Sequence, residues 1–359
     1  MKVHSLKLLD DLKVVELASV LAGPSVGTFL AEQGARVIKI ENPHTGGDPT
    51  RQWKTGSEDS KSSISAYYAS ANWGKEVLFM DLKNPDHRAE LQSELADTDI
   101  LIHNFKPGDE AKFGLDYVAL KSTFPKLIVA HISGYEMEDP RPAFDIVLQA
   151  ESGFMSINGT TASGPVKLPL PLVDILAAHH MKEALLLSLI RRSSTGAGCY
   201  VHVSLFDAAI ASLTNVANNV LMGQMDPGPM GSLHPNIAPY GEMLVTSDGH
   251  SIILAVGTDH QFESLCGALG ADADFVKEFS TNKQRLKDRL QLGQELNRMA
   301  GQFSLDGLEK SLVQKKVPFG RIRSVKTVLK NLPEHYFLNE VIEGNETIRL
   351  RSSIFSIHT

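Results

Sequence analysis

Residues 12–41 constrain the architecture more tightly than any other part of the chain. LKVVEL (12–17) is short, apolar and β-branched. Ala22-Gly23-Pro24-Ser25 and the helix-like run VGTFLAEQ (26–33) follow, Gly34 stops the helix, and RVIKIE (36–41) reads as a second strand. Strand, tight turn, helix, glycine stop and strand form a compact βαβ unit, and such crossovers imply a parallel sheet. The rhythm recurs: KEVLFMDL (75–82) reads as a strand, Asn84-Pro85-Asp86 opens a helix, and DILIHNF (99–105) and KLIVAHIS (126–133) are two more strands. The alternation predicts a doubly wound α/β domain.

The rest of the chain breaks this rhythm. A polar stretch rich in Gly and Pro, 42–63, has no clear period, and a connection that long inside a compact domain is usually functional or mobile. A second such stretch, GQMDPGPMGSLHPNIA (223–238), follows a long helix predicted over 205–222. Beyond it, 243–256 reads as two strands around Ser247-Asp248-Gly249-His250, a hairpin signal, with helical segments and VPFGRIRSV (317–325) after them. With 359 residues the chain suits two domains. The reading is a large α/β domain over 1–222, a linker over 223–240, and a smaller α+β domain over 241–325. The segment 326–359 is too short to fold alone and must dock elsewhere.

Composition removes several function classes. Thirty-five basic against forty-two acidic side chains leave −7, which disfavours nucleic acid as a partner but not a local basic pocket. No apolar run approaches bilayer length, and the start MKVHSLKLLDDLKVVEL turns acidic where a signal peptide turns apolar, so a cytoplasmic protein with no membrane partner is expected. Two cysteines, Cys199 and Cys266, cannot build a disulfide framework or a thiolate metal site.

The candidate chemistry is sparse. Ala22-Gly23-Pro24-Ser25 opens a helix after a strand, where exposed N–H groups attract anions, although a plain turn explains it equally well. No GxGxxG is present, which leaves nicotinamide or flavin binding through that fingerprint unsupported. Asp174 stands directly before ILAAHHMKEALLLSLIRR and is expected to be the N-cap of that helix. A carboxylate there should stay ionised, which a nucleophilic carboxylate requires. His179 and His180 are adjacent and point about 100° apart on a helix, and with no HExxH no metal is expected. Ser133-Gly134 and Ser152-Gly153 lack the GxSxG frame of a serine hydrolase. On the residues alone the substrate stays open.

Six stretches in order carry a resemblance: VVELASVLAGPSVGTFLAEQGARVIKIENP, ADTDILIHNFKPG, RPAFDIVLQAESG, PLVDILAAHHM, RRSSTGAGCYVHVSLFDAAI and DGHSIILAVGTDHQF. Together they resemble the family III coenzyme A transferases, which include formyl-CoA transferase, the carnitine-CoA transferases and the α-methylacyl-CoA racemases. The resemblance implies a large Rossmann-like domain and a small one, two chains interlocked as a homodimer, and a C-terminal segment returning to the large domain. It implies no tightly bound cofactor, with coenzyme A or acyl-CoA as substrate and a carboxylic acid as acceptor. Asp174 aligns with the catalytic aspartate, which attacks the thioester, forms a mixed anhydride and then an aspartyl-CoA thioester. Coenzyme A contacts are implied for Val20, Leu21, Ala71 through Lys75, Asn104, Phe105 and Lys112. For Lys75 and Lys112, expected near phosphate or ribose, the competing reading is a solvated surface charge. Asp145 either supports the site or caps its helix.

Two departures stand out. Many relatives carry Arg after the second strand's Glu, where this chain has Asn42, removing one expected phosphate contact. The glycine-rich flap of formyl-CoA transferase is matched by 231–239 (GSLHPNIAP), with far fewer glycines. A racemase would pair the aspartate with a histidine across the substrate's α-carbon, yet that histidine's position holds Phe144, leaving only displaced candidates such as His103, His131 or His179. A non-catalytic acyl-CoA binder is disfavoured because Asp174 is present.

Overall fold

The computed structural model describes residues 8–137, 139–355 and 357. These fall into two compact units, one within Met1–Met155, Lys167–Pro227 and Pro333–Thr359, the other within Ser156–Val166 and Gly228–Leu332.

The first unit runs β1 (Lys13–Leu17), α1 (Ala22–Glu32), β2 (Arg36–Glu41), α2 (Ala66–Ala71), β3 (Lys75–Phe79), α3 (Pro85–Leu95), β4 (Ile100–His103), α4 (Tyr117–Thr123), β5 (Ile128–Ser133), α5 (Asp145–Glu151), α6 (Leu172–Thr195), β6 (Tyr200–Ser204) and α7 (Leu205–Ala211). The six strands form one parallel sheet in the order β3-β2-β1-β4-β5-β6. Successive residues of a strand point to opposite faces, and both faces are covered here. Val14, Ile100, Ile102 and Ile128 meet Val26, Phe29, Ala177 and Met181 of α1 and α6 on one side. Val15, Ile38, Leu101 and Val129 meet Leu91, Leu95 and Leu120 of α3 and α4 on the other. The strand order reverses between β1 and β4, so a crevice opens beyond their carboxyl ends, where such sheets bind ligands.

Two boundaries differ from the sequence reading. Helix α1 begins at Ala22, four residues early, because Gly23 and Pro24 are accommodated in its first turn. The long helix expected over 205–222 is broken into α7 and Thr214–Gly223. Ser212 Oγ bonds back to the Ala208 carbonyl, an alternative to helix propagation, and Thr214 takes a positive φ of 39°.

The second unit is α+β. Strands β7 (Tyr240–Val245), β8 (Ser251–Ala255) and β9 (Phe319–Arg321) form an antiparallel sheet with β8 central. Phe262, Leu265, Leu292, Leu296 and Leu308 from its helices supply the core.

Residues 337–350 belong to the first unit and form a hairpin, β10 (Phe337–Ile342) and β11 (Asn345–Leu350), closed by Glu343-Gly344. Both turn residues have positive φ, 48° and 80°, the geometry that matches a hairpin's twist. Ile342 packs against Ile64, Tyr68 and Ala69, which anchors the hairpin beside the polar 42–65 segment. No helix among the described residues is long and apolar enough to cross a membrane.

Candidate active site

The N-terminus of α6 needs acceptors for its first N–H groups. Its N-cap is Pro171, which has no side-chain acceptor, and Asp174 is the third residue of the helix. The acceptor comes from another helix: Asp145 Oδ1 receives the N–H groups of Val173 (2.7 Å) and Asp174 (3.3 Å). Asp145 is itself steadied by Gln149, whose amide donates to Asp145 Oδ2 and Leu170 O while its oxygen accepts Leu168 N–H. The expectation that Asp174 caps its helix is therefore corrected, and Asp145 caps α6 rather than its own α5.

Relieved of capping, the Asp174 carboxylate receives no hydrogen bond among the described residues. It is 7% exposed. Burial first, and then the nearby charge of Asp145, push its pKa up to about 7. This corrects the expectation of a plainly ionised group: near the helix start, desolvation and a like charge win.

Tyr67, on α2, lies in the same field. Burial and then the charges of Asp174, Asp145 and Asp48 push its phenol up to about 12. Its ring meets Trp53 edge-on at 5.2 Å. Sequence reasoning missed both residues, and their only signal was that one lies within the aperiodic 42–63 stretch and the other just after it. Phe144, 55% exposed, precedes Asp145 and offers no proton-transfer group. His103 and His131 stack at 4.3 Å inside the sheet, where burial lowers the His103 pKa to about 3. His131 is bonded on both ring nitrogens, to Tyr200 Oη and Phe105 O. Burial also lowers the His179 pKa.

A cavity of about 240 Å³ opens at the carboxyl ends of β1 and β2, lined by Leu17, Ser19, Lys39, Glu41, Asn42 and Phe105 among others. Of the residues implied as coenzyme A contacts, Phe105 lines it directly. Asn104 braces the adjoining loop, its side chain bonding both Ser19 N–H (3.1 Å) and Ser19 O (3.0 Å). Val20 follows with φ +72°, an outlier for a β-branched residue worth about 1–3 kcal/mol of strain. Its N–H donates to Asp48 Oδ2 at 3.2 Å. Leu21 is the N-cap of α1. Ala71 is buried, and its carbonyl accepts Thr28 Oγ1 (2.6 Å) and Lys75 Nζ (2.8 Å).

Lys75 is the clearest correction. Its ammonium is buried and donates to Glu16, Pro24 O, Ala71 O and Asn72 Oδ1, so its donors are spent inside the protein rather than on a phosphate. Burial lowers its pKa to about 8 against the pull of Glu16. Lys112 is exposed and paired with Asp109. Lys39, which sequence reasoning passed over, lines the cavity and pairs with Glu16 (3.0 Å) and Asp48 (3.1 Å). Burial opposes its charge, but these carboxylates outweigh it and hold its pKa above the ordinary value. Asn42, the departure from the Arg of many relatives, also lines the cavity, and its Oδ1 accepts His44 N–H. No group of three or more His, Cys, Asp or Glu among the described residues is placed to hold a metal.

Comparison with known proteins decides the family. The family model described as CoA-transferase family III matches residues 9–351. The chain belongs to that family. Succinate–glutarate CoA-transferase of Agrobacterium fabrum is 38% identical over 89% of this chain and 80% of its own length. Human succinyl-CoA:glutarate CoA-transferase is 30% identical over 90% of this chain and 74% of its own. The crystal structure of a CAIB/BAIF family protein from Brucella suis superposes with a TM-score of 0.82, at 35% identity, covering 97% of this chain and 92% of that one. The six-stranded parallel sheet with a smaller antiparallel unit is thus the architecture expected of a family III CoA-transferase.

Proposed function

We propose that this CoA-transferase moves coenzyme A from an acyl-CoA thioester to a carboxylic acid through covalent intermediates on Asp174. One observation carries the reading: a buried carboxylate, free of capping duty, on a helix start fixed by Asp145. Such a carboxylate is poorly solvated when ionised, and its energy falls when it forms a neutral ester-like bond.

The steps balance without an outside acid or metal. Asp174 carboxylate attacks the thioester carbonyl, the C–S bond breaks, and coenzyme A leaves as a thiolate with a mixed anhydride behind it. The thiolate then attacks the Asp174 carbonyl of the anhydride and expels the donor acid as its carboxylate. The acceptor carboxylate attacks this aspartyl thioester, and the returning thiolate takes the acceptor's acyl group and frees Asp174. Each step exchanges one activated acyl bond for another of similar energy, which is why covalent relay suits the reaction. The N–H groups of Val173 and Asp174 are already committed to Asp145, so any stabilisation of the tetrahedral oxyanions must come from other donors.

The names of the relatives favour short dicarboxylic acids on both sides, with succinyl-CoA as the first donor and glutarate as the first acceptor to test. Racemisation is the second reading, disfavoured by Phe144, since phenylalanine cannot exchange a proton. Intact-protein mass measured after incubation with succinyl-CoA should show an adduct mapping to Asp174, released by hydroxylamine or glutarate and absent in Asp174→Ala. Unimpaired CoA exchange in Asp174→Ala would overturn the mechanism. Deuterium entering the α-position of a 2-methylacyl-CoA in D₂O, with no adduct, would establish the racemase instead.

A further inference from the structure

A continuous line of polar contacts, buried from Arg51 inward, connects the C-terminal hairpin to the loop that ends β1. At the hairpin tip the Glu343 carboxylate accepts two bonds from Arg51, at Oε1 from Nη2 (2.9 Å) and at Oε2 from Nη1 (3.0 Å), and Ser63 Oγ donates to Oε2 (3.0 Å). The other edge of the same guanidinium is bound to Glu41, Nε to Oε2 at 2.6 Å. Tyr68 closes the triangle, its hydroxyl accepting from Arg51 and donating to Glu41 Oε1, both at 2.7 Å. Glu41 Oε2 also accepts the N–H of Asp48 at 2.9 Å. Asp48 in turn holds the N–H of Val20, the residue with φ +72°.

Arg51, Glu41 and Asp48 are 3–4% exposed, so water cannot cheaply replace a link broken among these three, while Glu343 at the tip stays open to solvent. Gly47 lies against Glu41 and Arg51, where a side chain would displace both. Burial alone would depress the Arg51 charge, but the bonds to Glu41 and Glu343 prevail and hold its pKa above the ordinary value. Glu41 and Asp48 also line the cavity, so the line passes along its wall.

We propose that Glu343 is a positioning residue which, through Arg51, Glu41 and Asp48, fixes the left-handed backbone at Val20 beside the acyl-CoA site. The proposal rests on the acyl-CoA reading for its kinetic consequence only. A left-handed valine persists where its surroundings over-determine it, and here part of that determination comes from the far end of the chain. Replacing Glu343 by Gln leaves Arg51 with one carboxylate partner, the buried Glu41, instead of two, so Arg51 draws on Glu41 more strongly and the Asp48 N–H loses its fixed acceptor.

The test compares Glu343→Gln with Asn345→Ala. Asn345 bonds Ser62, Ser63 and the Glu343 carbonyl from the same hairpin but has no bond to Arg51, Glu41 or Asp48, which makes it the control for simple loosening of the tip. In Glu343→Gln, hydrogen exchange should speed up in peptides covering Val20 and Asp48 while those covering β5 stay protected. KM for succinyl-CoA should rise roughly 3- to 20-fold with kcat within about twofold. Asn345→Ala should change neither. Unchanged exchange at Val20 in Glu343→Gln, or equal changes in both variants, would overturn the proposal. If the wild-type enzyme transfers no CoA, the functional reading fails, and the exchange data still decide the role of Glu343.

Discussion

The buried carboxylate of Asp174 ties stability to pH through one titration. Its folded pKa of about 7 lies above the ordinary 3.8, so between pH 4 and pH 7 the folded state binds the proton that the unfolded state has released. Stability is then lost as pH rises through that window, on the order of 2–4 kcal/mol by pH 8. Asp174→Asn should therefore be more stable than wild type at pH 8 by that amount and equal to it near pH 4, which urea melts at the two pH values check. In the proposed mechanism only the ionised form attacks, so kcat/KM of the wild type should climb with unit slope toward a plateau above pH 7. Asp145→Asn refines this expectation. The amide keeps an oxygen for the Val173 and Asp174 N–H groups but removes the like charge, so the midpoint of the pH–rate profile should move down, while its NH2 group meets the Gln149 amide nitrogen in place of Oδ2 and costs about 1–3 kcal/mol of stability. A midpoint that stays in place would mean burial alone sets the pKa.

At the scale of elements, the middle of α1 is pressed onto the sheet through a small residue. A Cβ at Gly27 would collide with the Glu16 carboxylate and come close to Lys75, and Glu16 is the carboxylate that pairs with both Lys39 and Lys75. Gly27→Ala should push Glu16 from its partners and leave charges buried without compensation. A loss of about 3–5 kcal/mol in denaturant unfolding is expected. The sequence made β1, α1 and β2 legible because apolar runs, a proline in the first turn and a glycine stop all pointed the same way. It did not expose Lys39 or Lys75 as interior charges, since RVIKIE and KEVLF look like half-solvated strands until pairing with Glu16 is known. Asp174 was legible as a position but not as an environment. Its capping residue lies 29 positions away in another helix, and periodicity carries no information about such a contact.

For the whole molecule, the order of the six stretches made the family readable, and the family model spans 9–351 accordingly. Tertiary docking was less readable. In the hairpin β10 reads FLNEVI and β11 NETIRL, and nothing local indicates that it should settle against α2 and the 42–65 segment, because the partners of Ile342, Glu343 and Asn345 lie far back along the chain. That separation has a kinetic side. Ser62 and Asn345 are 283 residues apart along the chain, so closing this contact costs more chain entropy than any β–α–β step within the sheet. Non-local contacts of this kind slow folding, because their loop-closure entropy is spent before they return any stabilisation. The parallel sheet can assemble from neighbouring segments while Arg51, behind the cavity wall at Glu41, still lacks its outer partner, so the enzyme should acquire its shape before it acquires a finished binding surface.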